Sequence, residues 1–140
     1  MFTGEFEHSV DSKNRIFVPA KFREELGETF MVVRDIRRPI LKMYSLEAWQ
    51  EYLVPIRAQE RKISEKTLRY LHRNAAQVSP DSQGRIVLSA SLLSYAEIKK
   101  EAMVVGCSDY CEIWALDKYA AEIEDEDIDE IRAELERLGL

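Results

Sequence analysis

The segment Asp11-Ser12-Lys13-Asn14-Arg15 returns 70 positions later as Asp81-Ser82-Gln83-Gly84-Arg85, and the repeat extends well beyond these five residues. Ser9-Val10 lies over Ser79-Pro80, Ile16-Phe17-Val18 over Ile86-Val87-Leu88, and Ala20 over Ala90. After a small insertion, Met31-Val32-Val33 lies over Met103-Val104-Val105, and Met43-Tyr44-Ser45-Leu46 over Ile113-Trp114-Ala115-Leu116. Such self-similarity marks an internal duplication. Two copies are too few to stack as a solenoid, so the expectation is a pseudo-two-fold domain whose halves complete each other's core.

Each copy carries the same element signals. A strand (5–10 and 75–79) leads into the D-S-x-x turn, and a short apolar strand (16–18 and 86–88) follows. A short helix comes next, opened by Pro19 in one copy and capped by Ser89 in the other. Phe22 and Leu26 form its i, i+4 pair. Two more strands close each copy, 30–33 with 41–44 and 102–105 with 112–115. Each half therefore reads β-β-α-β-β. The predicted organisation is a single α+β domain: repeat 1 at 1–54, a helical connection at 55–74, repeat 2 at 75–120, and an acidic C-terminal helix at 121–140.

The helices show apolar stripes. Trp49, Leu53 and Ile56 form the first. Ser64 is the expected cap of a second helix, which carries Leu68 and Leu71 beside the basic positions Arg61, Lys62, Lys66, Arg69 and Arg73. Ile128, Ile131, Leu135 and Leu138 form the last. Each stripe packs either on the protein's own body or on a neighbouring subunit.

Charge is unevenly placed. The net charge is −6. Residues 117–140 hold ten acidic and three basic residues, leaving 16 acidic and 17 basic in residues 1–116. The acidity thus belongs to the C-terminal segment, and the body is neutral with local basic clusters. No apolar run approaches the roughly 20 residues that cross a bilayer, and the opening MFTGEFEHSV lacks a secretory pattern, so a cytoplasmic location is expected. Cys107 and Cys111 are the two cysteines, and His8 and His72 stand far from them. That set makes neither a disulfide framework nor a zinc site. No nucleophile elbow and no phosphate-binding glycine loop occurs. Neither catalysis, a cofactor nor a metal is expected.

The D-S-x-x-R motif reads as a β-hairpin corner. Asp suits the first position of a type I turn, accepting from backbone N–H groups two residues on. The fourth position needs a left-handed backbone, and Asn and Gly adopt it most readily. Asn14 and Gly84 stand there, so Asp11, Asn14, Asp81 and Gly84 are the expected turn-forming residues. Arg15 and Arg85 are not required by the turn. Each either pairs with its own Asp or holds a guanidinium at the base of a rigid corner, where it suits a phosphate or a guanine edge. Residues 11–23 carry Lys13, Arg15, Lys21 and Arg23 against Asp11, and residues 81–93 carry Arg85 against Asp81. The first corner is therefore expected to be the stronger anion site.

With these residues in view, the chain resembles the MraZ proteins, bacterial transcriptional regulators of the division and cell-wall gene cluster. The resemblance rests on MFTGEFEHSVDSKNRIFVPAKFREEL, DSQGRIVLSASL and EIWALDKY, and it covers essentially the whole chain. It implies a SpoVT–AbrB swapped-hairpin β-barrel with both halves supplied by one chain, plus linking and C-terminal helices. It implies a ring-shaped homo-oligomer that binds short tandem repeats in double-stranded promoter DNA at the nucleoid. The DNA contact falls on Arg15 and Arg85, with Lys13, Lys21 and Gln83 beside them. Gln83 replaces a base, Ser91 stands opposite Lys21, and Ser89 stands opposite Pro19, so the second contact is expected to be weaker. The alternative is a ring-forming scaffold that binds no DNA. Salt separates the two, because phosphate contacts weaken steeply as salt rises.

Overall fold

The first four residues of Phe30–Arg34 are β-branched or large and apolar, and those four are buried. A strand buried on both faces must be sandwiched between layers, and this strand is the third of eight. The computed structural model describes residues 1–140. In chain order the elements are β1 (Glu5–Ser9), β2 (Arg15–Phe17), α1 (Ala20–Leu26), β3 (Phe30–Arg34), β4 (Leu41–Ser45), α2 (Leu46–Arg57) and α3 (Arg61–Arg73). The second series is β5 (Ala75–Val78), β6 (Arg85–Val87), α4 (Ala90–Tyr95), β7 (Glu101–Gly106), β8 (Cys111–Ala115), α5 (Leu116–Glu124) and α6 (Ile128–Arg137).

Six strands form one antiparallel sheet in the order β1-β7-β8-β4-β3-β5, and β2 pairs with β6 in a separate antiparallel ribbon. The pairing exchanges elements between the repeats. β1 of the first repeat lies on β7 of the second, with Glu5 opposite Val105. β5 of the second lies on β3 of the first, with Ala75 opposite Val33. The pseudo-two-fold axis passes between equivalent residues: Lys42 opposite Glu112 in the sheet, and Ile16 opposite Ile86 in the ribbon.

The ribbon packs over one face of the sheet. Ile16, Val18, Phe22, Ile86 and Leu88 join Phe30, Val32, Leu41, Met43, Val104 and Ile113 in a single buried cluster. Full burial of each such side chain contributes about 1.5–3 kcal/mol. The alternate residues Met31, Val33 and Tyr44 point to the opposite face, where Trp49 and Leu53 of α2 cover them, with Leu68 and Leu71 of α3 alongside. Trp49 Nε1–H donates to His72 Nε2 at 3.2 Å and ties α2 to α3. The α2 and α3 stripes therefore pack on the protein's own body. The α6 stripe does not: Ile128, Ile131, Leu135 and Leu138 are all exposed.

Four expectations are revised. The sheet is open rather than a closed barrel: β1 and β5 are its edges, and the short strands β2 and β6 pair only with each other. β1 and β2 likewise form no hairpin ladder, because each leaves the corner for a partner in the other repeat. Ser64 does not cap α3, which already begins at Arg61 behind Glu60; it lies inside the helix, buried, with its N–H donating to Glu60 O. The acidic C-terminal segment is two helices, broken where the Asp127 carboxylate accepts from the N–H groups of Asp129 and Glu130 and starts α6.

Candidate nucleic-acid interface

Both corners have the same local geometry. Asn14 N–H donates to Asp11 O at 3.0 Å, and Asp11 N–H donates to Arg15 O at 2.9 Å. This closes a type I turn followed by a left-handed residue, Asn14 at φ 59°. In the second corner Gly84 N–H donates to Asp81 O at 2.9 Å, Asp81 N–H to Arg85 O at 2.8 Å, and Gly84 has φ 81°. One backbone pair closes each corner before the flanking strands diverge. The corners are then stitched to each other: Val18 N–H donates to Gly84 O at 2.9 Å and Leu88 N–H to Asn14 O at 2.8 Å.

Each aspartate clamps its own corner. Asp11 Oδ1 accepts from the backbone N–H of Lys13 and of Arg15, both at 2.9 Å, while Oδ2 accepts from Arg15 Nε at 2.7 Å. Asp81 Oδ1 accepts from Gln83 N–H at 3.0 Å and Arg85 N–H at 2.9 Å, and Oδ2 from Arg85 Nε at 2.9 Å. The Arg15 backbone hydrogen bond, with the guanidinium behind it, holds the Asp11 carboxyl below its ordinary pKa, and Arg85 does the same for Asp81. Arg15 and Arg85 side chains are each 27% exposed. Only Nε of either is engaged within the chain, so the terminal nitrogens remain available to an outside acceptor.

The ribbon sets where those arginines face. Ile16 and Ile86 point into the core, so Arg15, Phe17, Arg85 and Val87 share the outer face. Arg15 pairs with Val87 and Arg85 with Phe17. The two arginines stand on a ribbon diagonal, which spans roughly 7–8 Å. Opposite Arg15, Val87 is 59% exposed, an apolar contact on a cationic face. Lys13 and Gln83 stand exposed at the tips of the two corners, and Lys21, on α1, reaches Thr3 Oγ1 at 3.3 Å.

Sequence counting misplaced one charge. Arg23 belongs to α1 of the first repeat, yet its guanidinium lies over Gly84 of the second corner: a Cβ added at Gly84 would stand 2.6 Å from Arg23 Cζ. Arg23 Nε donates to Val18 O at 3.0 Å, and its Cζ sits 5.4 Å from the Phe17 ring centroid. The contrast between the corners is therefore smaller than the linear sequence suggests. The signal available beforehand was the Gly84/Asn14 difference, which alone does not say what occupies the space a side chain would fill.

No group of three His, Cys, Asp or Glu residues could hold a metal ion. The largest cavity, about 600 Å³ and edged by Tyr44, Tyr52 and Tyr110, lies toward α2, on the sheet face away from the ribbon. Burial raises the Cys107 thiol to about 12 and pushes the Cys111 thiol up as well, so neither is a ready nucleophile. No helix is long and apolar enough to cross a membrane.

Comparison with known proteins matches residues 1–74 and again 71–138 to a family described as "MraZ protein, putative antitoxin-like". Curated relatives named transcriptional regulator MraZ are similar over 100% of both chains. The relative from Clostridium tetani is 36% identical, that from Caldicellulosiruptor bescii 35%, and that from Pediococcus pentosaceus 37%.

Proposed function

The chain belongs to the MraZ family, and on that premise we propose that it is a DNA-binding regulator of transcription that reads short tandem promoter repeats through its two D-x-x-x-R corners. The target in this reading is the control region of the division and cell-wall gene cluster, and the place of action is the cytoplasmic nucleoid. One observation carries the reading: two guanidinium groups stand together on the outer face of an antiparallel ribbon, each fixed through Nε and free at its terminal nitrogens. A two-stranded ribbon fits the major groove, where arginine reads guanine O6 and N7 bidentately. The acidic α5 packs on β7 and β8 of the sheet rather than on the ribbon.

A single ribbon offers few contacts, so the reading includes self-assembly. The uncovered α6 stripe docks on a neighbouring copy, and head-to-tail contacts of this kind close into a ring. Linked ribbons on repeated sites gain affinity by effective concentration without any new contact.

The test is a titration of promoter DNA with Arg15→Ala, Arg85→Ala and the double variant, each sized by light scattering. Each single variant is expected to lose about 1–3 kcal/mol of specific binding, with particle size unchanged. Unaltered affinity in the double variant overturns the assignment. Leu135→Asp tests assembly separately and is expected to reduce particle mass while leaving the fold intact.

A further inference from the structure

The two corners differ at a pair of positions that change together. Over Gly84 of the second corner lies the Arg23 guanidinium. The residue equivalent to Arg23 in the second repeat is Leu93, which is buried, and the corner residue equivalent to Gly84 is Asn14. Where the corner has no side chain, a guanidinium fills the space. Where the corner has one, the equivalent helix residue, Leu93, is apolar and lies in the core. We infer that Arg23 is a third DNA-contacting arginine, donated across the repeat boundary to the second corner, where it contacts a backbone phosphate. The inference rests on the DNA-binding reading above and deepens it.

The geometry favours this over simple packing. Arg23 Nε is spent on Val18 O, and its two terminal nitrogens have no partner in the chain, as with Arg15 and Arg85. Its guanidinium stands by Phe17, the cross-strand neighbour of Arg85. Two like charges, Arg23 and Arg85, converge on one corner, where Asp81 is already clamped by Arg85. A polyanion relieves that repulsion. On its other side Arg23 borders an open polar groove with Glu24, Glu28, Pro80 and Asp81. Those carboxylates repel a phosphate, so the phosphate approaches from the ribbon side. The second corner is thereby a site for phosphate positioning, and the first, with Lys13 exposed at its tip, is not its mirror image.

The experiment measures promoter affinity against salt for wild type, Arg23→Leu, Arg23→Lys and Gly84→Asn. Arg23→Leu is expected to weaken binding about tenfold and to lower the log–log salt slope by about one, as for a lost phosphate contact. Arg23→Lys, which keeps the charge, is expected to restore most of both. Asn tolerates the left-handed backbone, but its Cβ displaces the movable end of Arg23. Gly84→Asn is therefore expected to copy Arg23→Leu, and the double variant to be no worse than either. A salt slope unchanged in Arg23→Leu, while Arg85→Ala still loses affinity, overturns this inference and leaves the corner reading standing. Wild-type protein that shows no salt-dependent binding overturns both. Thermal melts separate a folding defect, which shifts the melting temperature and which lysine would not repair through charge alone.

Discussion

Ile16 and Ile86 face each other directly across the pseudo-two-fold axis, each 1% exposed, and the pair lies directly beneath the arginine-bearing face. The same two side chains that close the core therefore fix the separation of Arg15 and Arg85. Ile16→Ala is expected to cost about 2–5 kcal/mol, and Ile86→Ala a similar amount because the sites are equivalent. Chemical denaturation reads the loss. A cost below about 1 kcal/mol, within the range of a surface substitution, would mean that the ribbon is not seated on the core.

The exchange of β1 and β5 predicts that neither repeat folds alone. A fragment of residues 1–74 keeps β3 but lacks β5 and β7, so it has no partner for β1 and an open edge on β3. Its circular dichroism is expected to lack a cooperative melt, and mixing it with residues 75–140 is expected to recover one. An independently cooperative transition in either fragment contradicts the interleaved topology.

The aspartate clamps predict a specific pH response. Folding lowers the Asp11 and Asp81 pKa values through the Arg15 and Arg85 hydrogen bonds. Their contribution is present above the ordinary carboxylate value, about 3.9, and is lost as pH falls through the lowered folded values. DNA affinity is therefore expected to be flat from about pH 5 to 8 with respect to these groups. Asp11→Asn retains an oxygen for the Lys13 and Arg15 N–H groups and removes the acceptor from Arg15 Nε. It is expected to lower the ratio of specific to non-specific binding, measured by competition, even though it removes a negative charge near the DNA. A higher ratio would show that the carboxylate only repels.

Thiol chemistry provides a further check. Cys111 is fully buried and Cys107 partly so, and burial raises both pKa values. Iodoacetamide at pH 8 is expected to label the folded protein slowly and to modify two thiols per chain after denaturation. Rapid labelling of native Cys111 would mean that the β7–β8 end opens readily.

The repeat, the strand and helix order, and the turn chemistry were legible because each depends on local signals: alternation, capping, and the need for Asn or Gly at a left-handed position. Strand partnership was not legible. The motif looked like a hairpin, since the local turn is that of a hairpin, and only the burial demands on Ile16 and Ile86 send β2 to its counterpart instead. Ser64 looked like a cap because Ser commonly is one, but the helix already starts at Arg61 and the small residue is used for packing. Arg23 was counted with its sequence neighbours, whereas the fold carries its side chain across to Gly84. The partner of β2 and the place of Arg23 both depend on contact between the two repeats, which no window along one of them contains.

Had the halves been separate molecules, the arginine-bearing ribbon would exist only above the concentration at which two of them associate. The α2–α3 tether removes that condition, because the second half is always within reach of the first and linked modules meet at an effective concentration on the order of millimolar. Dilution can dissolve whatever assembly α6 supports, yet each single chain still carries a complete β2–β6 surface.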